Sequence, residues 1–251
     1  MSVARSFACL LLAVACLTAL APEAAAAAFQ VNPVRVHLEP RRAVETIVVS
    51  NDSDTALRFE ASLLRWEMAA DGQWVQTPSD DLVLHPQYLE VAPRSQGRLR
   101  VGALDPIAPG QPQRAYRIEL MQQADPGAAA GPALQILTKV SLPVFVGGAG
   151  QAQPTLRAPR FADGALAFVL GNAGGRYLPQ QSAQARLLDA SGRLLASPRI
   201  ELGYVLAGAE LPMTLPVAAA VCRDARRLEL LPAEGATIAL DLPASGRRCA
   251  P

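Results

Sequence analysis

ALQILTKVSLPVFVGG, residues 133–148, is an apolar run rich in branched side chains that ends in two glycines. Branched residues pack well on a pleated surface and the glycines close the run, so it reads as a strand in the core of a β-sandwich. One charge interrupts it. Lys139 is the only lysine in the chain, and every other member of the Lys+Arg total of 23 is an arginine. A long cation in such a strand has two readings. It snorkels to solvent from a strand end, or it serves a site that wants a compact three-donor ammonium.

Upstream, the apolar pattern keeps the strand period. VNPVRVHL (31–38), AVETIVVSN (43–51), ALRFEASLLRWEM (56–68), DLVLHPQYLEV (81–91), GRLRVGA (97–103) and AYRIELMQQ (115–123) precede LQILTKVSLPVFV (134–146). Turn clusters such as NDSD, ADGQ, APRSQ and DPIAPGQPQ separate them. Short strands with Pro and Gly between them predict an antiparallel β-sandwich. Downstream, GGAGQAQP (147–154) reads as a linker. The same pattern then resumes in ALAFVLGN, SAQARLLDASGRLL, ELPMTLPV, RRLELL and ATIALDL, with DASGR as a hairpin signal. VAAAVC (217–222) is too short to stand alone as a helix. The expectation is an all-β protein of two domains, residues 29–147 and 148–251.

Residues 1–28 are set apart from both. Arg5, an apolar stretch from Phe7 to about Leu20, and small residues before Phe29 have the layout of a secretory signal peptide cleaved after Ala27 or Ala28. The apolar stretch is short for a spanning helix, so stable membrane insertion is not expected. Lipidation at Cys16 is the weaker alternative, because Ala13 stands where a leucine is usual. Cys9 and Cys16 leave with the signal, and Cys222 and Cys249 remain. A single pair in an exported protein, at a spacing that matches no zinc motif, reads as one disulfide. A formal net charge of +1 makes neither nucleic acid nor an anionic bilayer an obvious partner.

The search for catalytic groups is negative. His37 sits in a strand and His85 precedes Pro86. No serine elbow or Cys-His set is present, and GNAGGR (171–176) is not followed by a helical pattern, which weakens a phosphate-loop reading. Asp80 and Asp81 are adjacent, so in a strand they point to opposite faces. Neither enzymatic activity nor a metal or organic cofactor is expected. What stands out is Arg35, set between Val34 and Val36 in the first strand, together with Lys139 in the last strand of the same domain. Two such cations at one cleft would hold a carboxylate, because a desolvated anion needs charge-assisted donors, but spacing alone favours the plainer reading in which each snorkels to the surface from a strand end.

The succession VNPVRVHLEPRRAVETIVVSND, HPQYLEVAPRSQGRLRV, QRAYRIELMQ and LQILTKVSLPVFV resembles the periplasmic pilus-assembly chaperones of the chaperone–usher pathway. The similarity covers about residues 30–147 and continues weakly through VLGNAGGRYL. It implies two immunoglobulin-like sandwiches set at an angle with a subunit-binding cleft between them. It also implies that the protein lends a strand to a pilus subunit that lacks one and delivers that subunit to an outer-membrane usher. By this resemblance Arg35 falls on the arginine that anchors the subunit's terminal carboxylate, and Lys139 is the nearest match for its lysine partner. The pattern also allows that lysine at the position of Ser141. Leu134, Ile136 and Thr138 would form the donor face. PVFVGG replaces the usual aromatic-Arg-Pro ending, and the acidic residue that ties the domains together falls near Ala92, which puts the familiar interdomain ion pair in doubt. These departures suggest a divergent, archaic or spore-coat-like branch. The alternative is a secreted structural or adhesive two-sandwich module with no folding role. It is disfavoured because the first strand begins almost at the cleavage site, leaving no donor extension of its own.

Overall fold

A computed structural model describes residues 29–124 and 136–249. The signal-peptide reading and Leu134 lie outside the described residues. The N-terminal sandwich contains β1 (Phe29–Asn32), β2 (Val36–Leu38), β3 (Val44–Asn51), β4 (Leu57–Met68), β5 (Trp74–Pro78), β6 (Leu82–His85), β7 (Tyr88–Val91), β8 (Gln96–Ala103), β9 (Arg114–Gln122) and β10 (Lys139–Val146). One sheet has the order β1-β3-β8-β6, and the other has β2-β10-β9-β4-β5 with β7 on β4. The alternation in β4 is the plainest case. Leu57, Phe59, Ala61 and Leu63 are buried while Arg58, Glu60 and Ser62 between them are not. Burying each large side chain of this kind stabilises the sandwich by about 1.5–3 kcal/mol.

Two stretches that read as single strands each divide between the sheets. Residues 31–38 pair first with β3 and, after Pro33, with β10, while 81–91 split at Pro86 into β6 and β7. A proline gives no backbone donor to a ladder, so the chain leaves one sheet and joins the other there. β5, whose side chains are all exposed, carries no alternation and was not legible.

The second sandwich contains β11 (Pro154–Ala162), β12 (Ala165–Asn172), β13 (Gln181–Leu188), β14 (Leu194–Ala196), β15 (Arg199–Leu202), β16 (Glu210–Pro216), α1 (Ala219–Asp224), β17 (Arg227–Pro232) and β18 (Ile238–Asp241). Its sheets are β11-β12-β16 and β14-β13-β17-β18, with β15 on β13. The helix α1 corrects the reading of VAAAVC as non-helical. One turn holds because tertiary contacts supply what propensity does not: Cys222 is buried and bonded to Cys249, and Ala225 is buried beside it.

Each sandwich has its own core, and both use the same corner. Asn51, the last residue of β3, is buried and donates to the carbonyls of Thr55, Val91 and Ala92 while accepting from the Ser53 amide. Asn172, at the end of β12, donates to the carbonyls of Arg176, Val205 and Leu206 and accepts from the Gln153 and Gly174 amides. The glycines of GNAGGR are therefore packing positions. A Cβ on Gly174 would meet the backbone of Gln151–Gln153, and one on Gly175 would meet that of Ala149.

Candidate functional site

β10 runs between β9 and β2, but β2 covers only its end. Val36–Leu38 pair in parallel with Val144–Val146, so among the described residues no strand lies on that side of Lys139–Pro143. Pro143 falls in this half-open stretch, the setting that tolerates a proline in a strand. Upstream of it Gln122 N–H donates to the Thr138 carbonyl and Thr138 N–H to Gln122 Oε1, and β9 ends there. Ile136 and Leu137 lie beyond, with exposures of 67% and 47%. By strand parity Ile136 and Thr138 continue the face that carries Val140, Leu142 and Val144, while Lys139, Ser141, Pro143 and Phe145 share the other.

The end of this open edge is closed by residues of both sandwiches. Arg35 precedes β2, and its Nη2 donates to Tyr204 Oη at 3.0 Å and its Nη1 to Tyr177 Oη at 3.3 Å. Tyr177 stacks on Phe145 with ring centroids 3.7 Å apart, and Trp66 meets Tyr204 edge-on at 5.4 Å. Trp66, Ala115, Phe145, Tyr204 and Leu206 make a buried apolar cluster between the domains. His37 lies beside the stacked Phe145 and Tyr177 rings, with centroids 5.6 Å and 6.0 Å away; burial and then the Arg35 charge push its imidazole below the ordinary value. Glu39 and Arg176 form an interdomain ion pair at 3.0 Å. An ion pair between the domains is thus present, made by residues other than the expected one near Ala92.

The structure does not bring Lys139 to Arg35. Lys139 Nζ pairs with Glu119 Oε2 at 2.6 Å. In register Lys139 stands four residues from Pro143, the neighbour of Arg35 across β10, which is about 13 Å at roughly 3.3 Å per residue. Ser141, the alternative lysine position, accepts a hydrogen bond from Arg117 Nη1 at 3.1 Å. Sequence reasoning missed Arg117, Trp66, Tyr177 and Tyr204. Arg117 shares its strand face with Ala115, Glu119 and Met121, a mixed set that resembles a solvated face. The tyrosines come from the other domain, and only the aromatic after GNAGGR hinted at one of them. Among the described residues there is no group of three or more His, Cys, Asp or Glu side chains placed to hold a metal ion, and no helix long and apolar enough to cross a membrane.

No family model matches the sequence, and no curated protein matches it. Solved structures do. The structure of the CsuC–CsuE chaperone–tip adhesion subunit pre-assembly complex, from archaic chaperone–usher Csu pili of Acinetobacter baumannii, is similar at 15% identity with a TM-score of 0.60, over 84% of this chain and 98% of that one. The class 5 fimbriae chaperone CfaA aligns at 9% identity with a TM-score of 0.58, over 86% and 99%. The Salmonella enterica SafA pilin in complex with the SafB chaperone aligns at 14% identity with a TM-score of 0.55, over 86% and 97%. The chain has the two-domain β-sandwich fold of the pilus chaperones of the chaperone–usher pathway.

Proposed function

We propose that this chain is a periplasmic chaperone that binds and caps pilus subunits by strand addition and hands them to an outer-membrane usher. In this reading residues 1–28 are a signal peptide removed on export, 29–147 form the strand-lending domain, and 148–251 form the second sandwich. The observation that carries it is the open edge of β10 at Lys139–Pro143, with exposed Ile136 at one end and Arg35 at the other. An incomplete sandwich exposes core side chains and an unpaired edge, and both drive aggregation. A strand laid along this edge gains backbone partners, and the face bearing Leu134, Ile136 and Thr138 fills the gap in its core. The incoming strand must stop where β2 begins. A cation at that point favours a chain end that carries a carboxylate, so the guest runs parallel to β10 with its C-terminus at Arg35. Similarity to solved pilus chaperones supports the reading.

The test is periplasmic co-expression with a pilus subunit encoded beside this chain. Recovery of a one-to-one complex, with the subunit lost in its absence, is the expected result. A subunit that folds and accumulates without the chain favours the structural or adhesive module instead.

A further inference from the structure

Among the described residues, three buried side-chain nitrogens lack a hydrogen-bond partner: Arg35 Nε, Trp66 Nε1 and Arg117 Nε. All three belong to the same wall at the end of the open β10 edge. Arg117 is the unusual member. Its exposure is 8%, and among the described residues no carboxylate lies within ion-pairing distance of it; nearby Glu119 is taken by Lys139. Its guanidinium stands over the Trp66 ring at 4.2 Å and the Trp74 ring at 4.6 Å, and Ser141 Oγ takes one Nη donor. Leaving a buried charge with so few acceptors is costly, and burial holds the Arg117 pKa below the ordinary arginine value.

Register places its partner. Pro143 pairs with Arg117 on one side, and on the other side it is level with Arg35, which precedes the Val36↔Val144 pair. At roughly 4.8 Å between strands the two arginines lie about 10 Å apart at the backbone, on one face, across β10. Two long side chains span that distance to a single anion. We propose that Arg117, reaching from β9 over Ser141, is the second cation that holds the guest's C-terminal carboxylate with Arg35, and that Lys139 is not. This rests on the strand-addition reading. Arg117 supplies from the neighbouring strand the charge that β10 lacks at Ser141, and the two indoles fix its planar fork before the carboxylate arrives.

The experiment uses the mature chain and a synthetic extended peptide alternating valine or isoleucine with threonine, made as the free acid and as the C-terminal amide. Wild type should prefer the acid by about tenfold or more, the scale of one charge-assisted contact. Arg117→Gln should remove most of that preference. Ser141→Asp, which neutralises Arg117 while keeping its packing on the indoles, should do the same and guards against a folding defect in Arg117→Gln. Lys139→Ala should keep the preference. Retention of acid preference in both Arg117→Gln and Ser141→Asp, or its loss in Lys139→Ala, overturns the assignment. Equal binding of acid and amide by wild type, with Ile136 still required, overturns carboxylate anchoring but leaves strand addition standing. No binding of either peptide overturns the strand-addition reading and this inference with it.

Discussion

Arg35 and Tyr204 belong to different sandwiches, and the guanidinium of the first donates to the hydroxyl of the second at 3.0 Å. The residue that closes the open edge of β10 is therefore also a strut between the domains. Arg35→Ala should do two separable things. Loss of its hydrogen bonds to Tyr204 and Tyr177 should cost about 1 kcal/mol, and a melting curve should fall by about 2–4 °C with the fold retained. Co-purification of a subunit should fall much further, because its carboxylate loses a charged partner. Wild-type yields of complex from Arg35→Ala would remove the anchor from the mechanism.

Ile136 makes the complementary case. With 67% exposure it contributes little to its own domain, so Ile136→Asp should change stability by no more than about 0.5 kcal/mol. In the complex the same carboxylate would enter the guest's core unpaired. Folded protein with no recoverable complex is the expected pair of readings; a large loss of thermal stability would instead make Ile136 a residue of its own domain's core.

Gly174 tests how firmly the linker is seated. A Cβ there would fall against the Gln151 carbonyl oxygen and the Gln153 nitrogen, backbone atoms that cannot swing away. Gly174→Ala should cost about 1–3 kcal/mol through forced displacement of the linker. Urea denaturation checks this, and an unchanged midpoint would mean that the linker is free to shift.

Tyr116 predicts a pH response. Burial, followed by its hydrogen bond to Asp81 Oδ2 at 2.9 Å, pushes its phenol up to about 12. The folded state thus favours the neutral phenol relative to an unfolded value near 10. That stabilisation is complete below about pH 10 and is lost as pH rises through about 12. A near-ultraviolet tyrosinate titration should show a late step that Tyr116→Phe deletes. A wild-type profile with every tyrosine ionising near 10 would contradict it.

The Cys222–Cys249 bond ties α1 to the C-terminal segment across a sequence separation of 27, with Cα atoms 5.6 Å apart. Replacing both cysteines with serine should lower stability by about 2–4 kcal/mol, mainly by freeing the unfolded chain. Non-reducing mass spectrometry of the mature protein, without residues 1–28 and so without Cys9 and Cys16, should find no free thiol.

Much of the architecture was written in short-range pattern. The alternation of Leu57, Phe59, Ala61 and Leu63 against Arg58, Glu60 and Ser62 needs no partner strand to be seen, because successive side chains in a strand leave opposite faces whatever they pair with. The same holds for the DASGR turn, where Asp189 accepts from the amides of Ser191 and Arg193. Strands without alternation, such as the wholly exposed β5, left no such trace.

The site is a different matter. Sequence singled out Arg35 and Lys139 because they are cations in apolar runs, and for Lys139 that signal led to Glu119 on the next strand. Arg117 could not be recognised from its neighbours, since nothing local distinguishes a guanidinium bound for solvent from one clamped between Trp66 and Trp74. Nor could Tyr204 be assigned to Arg35, 169 residues away in the chain. The sequence by itself determined that this protein would be built of β-sandwiches, because strand period and turn chemistry are local. Only the tertiary structure decided which cations share a site, because strand register and domain contact set which side chains meet.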